Sequence, residues 1–235
     1  MSIVGNKHPI IYTVRLDMSE EVEDEANIWN NTKHISDLIA AGFLSAVRFH
    51  SLEGSPKYLH IYELPNLEIL ISEGYANVRG NDTWVRRLSH GFSSHSASIY
   101  EQVLGFNVIH ASKMPQSSKD SKTTIGTIVA RNIIAARMNV ARQSADELIS
   151  WHHEEHIPQM LEVPGFISGR LCRKATNHPR TPSLDPEWLS IYEIESAGNA
   201  HHPKIGEVNS TNWALQMHSI VSNVELDVLT RIHPA

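Results

Sequence analysis

The sequence predicts an α+β protein made of two β-α-β-β-α-β units in tandem. Three observations carry this: the chain repeats itself, each copy has the same order of strand-like and helix-like segments, and a polar stretch separates the copies. Placing Ile11-Tyr12-Thr13-Val14-Arg15-Leu16-Asp17 over Ile133-Ile134-Ala135-Ala136-Arg137-Met138-Asn139, an offset of 122, brings Arg15 onto Arg137. The same offset carries Trp29 onto Trp151 and His34-Ile35 onto His156-Ile157. One added residue brings Gly42-Phe43-Leu44-Ser45 onto Gly165-Phe166-Ile167-Ser168. A longer loop then sets Tyr58-Leu59-His60-Ile61-Tyr62-Glu63 against Trp188-Leu189-Ser190-Ile191-Tyr192-Glu193, and Trp84 answers Trp213. The offset changes only where loops are expected, as in a true internal repeat.

In the first copy, residues 10–17, 44–52, 57–64 and 98–106 are rich in β-branched and aromatic side chains and read as strands. The acidic run Glu20, Glu21, Glu23, Asp24, Glu25 suits the positive end of a helix dipole, and Val22, Ala26 and Trp29 follow at helical spacing. In the second copy, Ser144-Ala145-Asp146-Glu147 has capping-box spacing. The helix it opens is expected to end near Glu155, because Pro158 resists continuation. Val224, Leu226 and Val228 alternate with Glu225 and Asp227, which predicts a last strand with its apolar residues on the buried face. Each copy therefore has the ferredoxin-like order, with two helices over one sheet face. The other face needs cover, and the partner copy supplies it, so the antiparallel sheets pack into a pseudo-dimeric α/β barrel. The boundaries are 1–111 for the first repeat, 112–124 for the polar linker and 125–235 for the second repeat.

Composition narrows the function. The chain has 235 residues, 41% of them hydrophobic and 20% charged, which is ordinary for a globular protein. A net charge of −6 and the lack of a basic, aromatic-laced stripe argue against nucleic acid as a partner. No apolar run is long enough to span a bilayer, and Met1–Lys7 does not resemble a signal peptide. A lone cysteine, Cys172, permits no intramolecular disulfide, and a reducing cytoplasm is the expected home. Gly-rich phosphate loops, nucleophile elbows and dinucleotide fingerprints are missing, so no standard cofactor is expected. The fifteen histidines stand out, since imidazole transfers protons near neutral pH.

The segment Trp151-His152-His153-Glu154-Glu155-His156-Ile157-Pro158, followed by Val163-Pro164-Gly165-Phe166, resembles the signature of the EthD-like branch of the dimeric α/β-barrel superfamily. The match is close in the second copy. In the first, Asn31-Thr32-Lys33-His34-Ile35-Ser36 keeps only the histidine and isoleucine. The resemblance implies a pocket between sheet and helices, bordered by His156. It does not imply one reaction, since this fold serves cofactor-free monooxygenases, decarboxylases, cyclases, isomerases and haem enzymes alike.

His156 is therefore the first candidate for general acid–base work, and His34 is its counterpart. The alternative is that the ring anchors the Pro-Gly-Phe turn. His152-x-x-Glu155-His156 fits an inverted zinc-peptidase pattern, but the short motif and Pro158 count against metal, and no metal site is assigned. Tyr58, His60 and Tyr62 share a strand face and could line a pocket for a flat apolar molecule. Tyr192 and Trp188 occupy matching places in the second copy. Arg15 and Arg137 could clamp a carboxylate or enolate, or simply pair with Glu63 or Glu193. Trp29, Trp151, Trp84, Trp213 and Cys172 read as packing.

The reading that results is a cofactor-independent enzyme doing histidine-mediated acid–base chemistry, as an isomerase, cyclase, decarboxylase or other lyase. Its substrate is a small, apolar, aromatic or polyketide-like molecule. The alternatives are a haem-binding barrel enzyme with a histidine axial ligand and a non-catalytic ligand-binding module. A homodimer formed through an outer surface is compatible with this reading.

Overall fold

The computed structural model describes residues 10–80, 83–108, 127–179, 183 and 185–234. The expected linker at 112–124 lies outside the described residues. Among the described residues there are eight antiparallel strands: β1 (Ile10–Met18), β2 (Ser45–Glu53), β3 (Tyr58–Leu64), β4 (Phe92–Asn107), β5 (Asn132–Val140), β6 (Phe166–Asn177), β7 (Trp188–Ile194) and β8 (Val221–His233). They close into one barrel in the order β1-β3-β2-β8-β5-β7-β6-β4, with β4 pairing back to β1. The halves thus repeat one order, β4-β1-β3-β2 and β8-β5-β7-β6, and join through β2–β8 and β4–β6. Closure leaves no unpaired strand edge.

Alternation along the strands sorts the side chains into two sets. Ile11, Val47, Phe49, Leu59, Ile61, Ile133, Cys172, Leu189 and Ile191 fill the barrel interior. Burial there raises the Cys172 thiol to about 12, which makes it inert. The outward residues pack under helices. Tyr12, Tyr62 and Tyr58 do so in the first half, and Trp188, Tyr192 and Leu171 in the second. Among the described residues no helix is long and apolar enough to cross a membrane.

Each half has one long helix between its first two strands, and each contains a π turn at the same place. Glu20–Trp29 passes through Asn30–His34 into Ile35–Ala40, and Ala145–Trp151 through His152–His156 into Ile157–Leu161. Ile35 N–H reaches back to Asn30 O and Ile157 N–H to His152 O, the five-residue step of a π turn. The helix therefore does not stop at Glu155. Pro158 is tolerated because it begins the segment after the widened turn, where a missing N–H costs little.

Two further expectations change. Ser144 ends a 3-10 turn at φ −101°, ψ 5° and its side chain makes no cap, so the capping box does not form. In β8 the alternation inverts: Val224 and Leu226 are 59% and 58% exposed, while Asp227 is buried. The inversion follows from Asp227 turning inward to Arg137. The Gly-Phe pair has a plain cause in the first half. Gly42 at φ +104° lets its N–H reach Ile39 O at 3.0 Å and Phe43 N–H reach Leu38 O at 3.1 Å, a Schellman end.

Candidate functional site

A cavity of about 380 Å³ lies in the first half, between the outward face of the sheet and the helices. Its walls include Tyr12, Trp29, Tyr62, Tyr75 and Phe92, and its polar groups include Asn30, His34, His60, Arg79 and His95. The π turn places Asn30 at its start and His34 at its end, so both face the sheet. The β1–β3 register sets Tyr12 opposite Tyr62 and Val14 opposite His60, making the floor. Tyr12 and Tyr62 stack at 5.4 Å, and Trp29 lies tilted against the His34 ring at 4.5 Å.

The polar groups of the floor are ordered. Arg48 Nε donates to His60 Nε2 at 3.1 Å. An arginine cannot accept, so Nε2 is the bare nitrogen and the ring proton sits on Nδ1. That proton meets Tyr62 Oη at 3.1 Å. Burial first, and then Arg48, holds His60 well below its ordinary pKa, so it is neutral. Burial raises the Tyr62 phenol, which keeps it protonated. Asn30 Nδ2 donates to Ala26 O at 2.9 Å, which leaves its buried Oδ1 without a partner among the described residues. At the exposed rim, burial and Arg79 both lower His95, leaving it neutral.

The second half is built differently at the corresponding place. His156 stacks on Trp151 at 4.2 Å and sits edge-on to Tyr192 at 5.9 Å. Its Nδ1 is enclosed without a partner among the described residues, and burial, His152 and His218 hold its pKa well below the ordinary value. The Pro-Gly-Phe turn is held instead by Asn199 Nδ2 on Pro164 O at 3.2 Å and Glu195 N–H on Gly165 O at 2.8 Å. His152 bonds Ser190 Oγ at 3.0 Å and Leu148 O at 2.9 Å. Glu155 turns away from the histidines to Trp151 Nε1 and Thr211 Oγ1 at 3.3 and 2.5 Å, which breaks the inverted zinc-peptidase pattern.

Of the residues expected at a site, the structure brings His34, His60 and Tyr62 to one cavity. Tyr58 shares their sheet face, but its hydroxyl engages Glu23 and Asn27 away from the lumen. His156, Tyr192 and Trp188 gather in the core of the second half. Arg15 and Arg137 do not join either group. Both lie on the barrel-interior parity, where Arg15 pairs with Asp185 at 2.9 Å and Glu225 at 2.7 Å, and Arg137 with Asp227. They do form ion pairs, but with partners on distant strands and loops. Glu193 takes Arg170 at 3.1 Å, and Glu63 accepts from Ser45 Oγ at 3.0 Å. Sequence reasoning missed Arg48, Asn30, Tyr12, Tyr75, Arg79 and His95. Arg48 alternates with Val47 and Phe49 on β2, which was enough to place it on the helix-facing side.

No protein-family model matches the chain, and no curated protein matches it by sequence. Its fold matches solved structures. It superposes on an anthrone oxidase-like protein with a TM-score of 0.63 at 13% identity, over 97% of this chain and 92% of that one. A proposed monooxygenase from Fusobacterium nucleatum gives 0.60 at 8%, covering 97% and 94%. A chlorite dismutase-type protein, TA0507, gives 0.52 at 16%, covering 95% of both. The architecture is thus an eight-stranded antiparallel barrel of the dimeric α/β-barrel fold.

Proposed function

We propose that this protein is a cofactor-independent enzyme that moves a proton on a small, flat, aromatic or polyketide-like molecule, using His34 in the first-half cavity. The carrying observation is the cavity itself: three imidazoles in a chamber walled by stacked aromatic rings. A flat substrate would slide along Tyr12 and Tyr62. His34 would remove a proton from an acidic C–H or phenol, and His95 at the rim would pass it to water. The enolate or phenolate formed is the common start of isomerisation and cyclisation; in a decarboxylation the enolate would instead be left by loss of CO2, and a protonated His34 would give its proton to the carbon. The fold neighbours' names, anthrone oxidase-like and monooxygenase, are compatible with such a substrate, an anthrone being a flat aromatic ketone with an acidic C–H.

In this reading His156 is the structural counterpart of His34, its ring committed to packing on Trp151. The chain is read as two tandem ferredoxin-like repeats of EthD-like kinship, spanning 1–111 and 125–235, on the strength of the repeated strand order and the paired π turns. The haem alternative is not better supported: His60 and His152 each have both ring nitrogens engaged.

Proton exchange tests the proposal without knowledge of the full reaction. Anthrone in deuterated buffer should lose its acidic C–H signal faster with the wild type than with His34→Ala. Equal exchange rates would remove His34 from the chemistry. A Soret band appearing on haem addition would favour the haem enzyme instead.

A further inference from the structure

We propose that Arg48, His60 and Tyr62 form a hydrogen-bond relay that makes the first-half cavity a binding site for the oxyanion of a phenol or enol, with the Tyr62 hydroxyl as donor to that oxygen. This rests on reading the cavity as a small-molecule site, and it adds the charge state of the ligand.

The starting observation is a contrast among four buried arginines. Arg15 faces Asp185, Arg137 faces Asp227 and Arg170 faces Glu193. Arg48 is 0% exposed, yet among the described residues no carboxylate stands within ion-pair distance of it. Its donors go to neutral acceptors: His60 Nε2, Asn27 Oδ1 at 2.6 Å and Asn31 Oδ1. A buried cation without a counter-charge is costly. The bonds run one way, from Arg48 through the Nδ1–H tautomer of His60 to Tyr62 Oη. Because Tyr62 accepts from His60, its own proton is unspent among the described residues, and Tyr62 lines the cavity. A ligand oxygen bearing negative charge would accept that proton and supply the charge Arg48 lacks. The orphan Oδ1 of Asn30 would accept a hydroxyl elsewhere on the same ligand.

The second half serves as an internal comparison. Leu171 stands where Arg48 does, opposite Ser190 as Arg48 is opposite His60. There the equivalent phenol, Tyr192, has a buried hydroxyl with no partner among the described residues. The relay therefore belongs to the first half, where Tyr62 and His60 line the cavity. The other charged or titratable groups at the cavity are Arg79, His34, His95, Tyr12 and Tyr75. Arg79 is the guanidinium among them, and it already bonds His178 at 3.1 Å.

The test uses 4-nitrophenol, whose phenol and phenolate absorb at different wavelengths, titrated with pH in the presence of saturating protein. The wild type should bind the phenolate at least tenfold more tightly than the phenol, so the bound probe stays ionised about one pH unit further into acid. Tyr62→Phe should bind the probe but lose that shift. Arg48→Gln should reduce it, and Arg79→Gln should keep most of it. If Arg48→Gln does not fold, Tyr62→Phe decides alone. A shift that survives in Tyr62→Phe, or a wild type that prefers the neutral phenol, overturns the relay while leaving the cavity as a ligand site. A wild type that binds neither form overturns both.

Discussion

His152 and Ser190 lie 3.0 Å apart, ring nitrogen to hydroxyl, in the place where the first half sets Asn30 and His60. His152 and Ser190 join the start of a π turn to the middle of a strand, whereas Asn30 turns to Ala26 O and His60 to Arg48 and Tyr62. The imidazole comes from the helix in one half and from the strand in the other. Each half thus keeps a buried ring beside the histidine that closes its π turn. Only the first half also has Arg48 behind that ring.

The two π-turn histidines should behave differently. His34→Ala should lower turnover by about a hundredfold or more, the usual contribution of a positioned general base, with unchanged far-UV circular dichroism. His156→Ala should change turnover only a few-fold and lower stability by about 1–3 kcal/mol, because it removes a ring stacked on Trp151. Kinetics paired with urea unfolding check both, and the reverse pattern would return His156 to the chemistry.

Acid should destabilise the protein through its buried rings. Burial lowers His152 to about 4 from an ordinary 6.5, so between those values the unfolded chain binds a proton that the folded protein excludes. Stability is then complete above pH 6.5 and falls as the pH drops toward 4, by about 3 kcal/mol from this group. His60 and His156 are shifted in the same direction. His152→Asn, which copies Asn30, should flatten the slope of unfolding free energy between pH 7 and 5. An unchanged slope would show that His152 is not buried neutral.

Inside the barrel, Asp227→Ala should cost about 3–5 kcal/mol, because it strands the Arg137 guanidinium, whose Nε and Nη2 already lack partners among the described residues. The double variant Arg137→Met, Asp227→Leu should recover most of that loss. Chemical denaturation of the two variants makes the comparison, and a double variant as unstable as the single one would refute it.

Gly165 sits at φ +86°, and a Cβ there would lie 2.3 Å from Asn199 Nδ2. Gly165→Ala should therefore lower stability by about 1–3 kcal/mol. Gly80, the last residue of the helix Glu73–Gly80, with nothing among the described residues within 4 Å of its would-be Cβ, is the control, and Gly80→Ala should be neutral or slightly stabilising. Thermal unfolding of the two variants separates backbone strain from a general loss on substitution.

Local patterning made the four strands of the first half, apart from the extent of β4, the presence of the last strand, and the shared face of His60 and Tyr62 legible in the chain alone. Such features depend on residues near each other in sequence, through alternation along a strand and helical spacing. The fate of the charged residues was not legible. Val224 and Leu226 read as buried and are exposed, because Asp227 is drawn inward by Arg137, a residue ninety positions away. The cavity lies beside the degraded motif around His34, and no local pattern in the sequence points to that place. Arg48 looked like one polar residue on a strand. It becomes the source of a relay only when the β2–β3 register sets it opposite His60 and the π turn brings His34 over the floor. Short-range periodicity determined the elements; long-range pairing of buried charges, which the chain order does not encode locally, decided where a site could form.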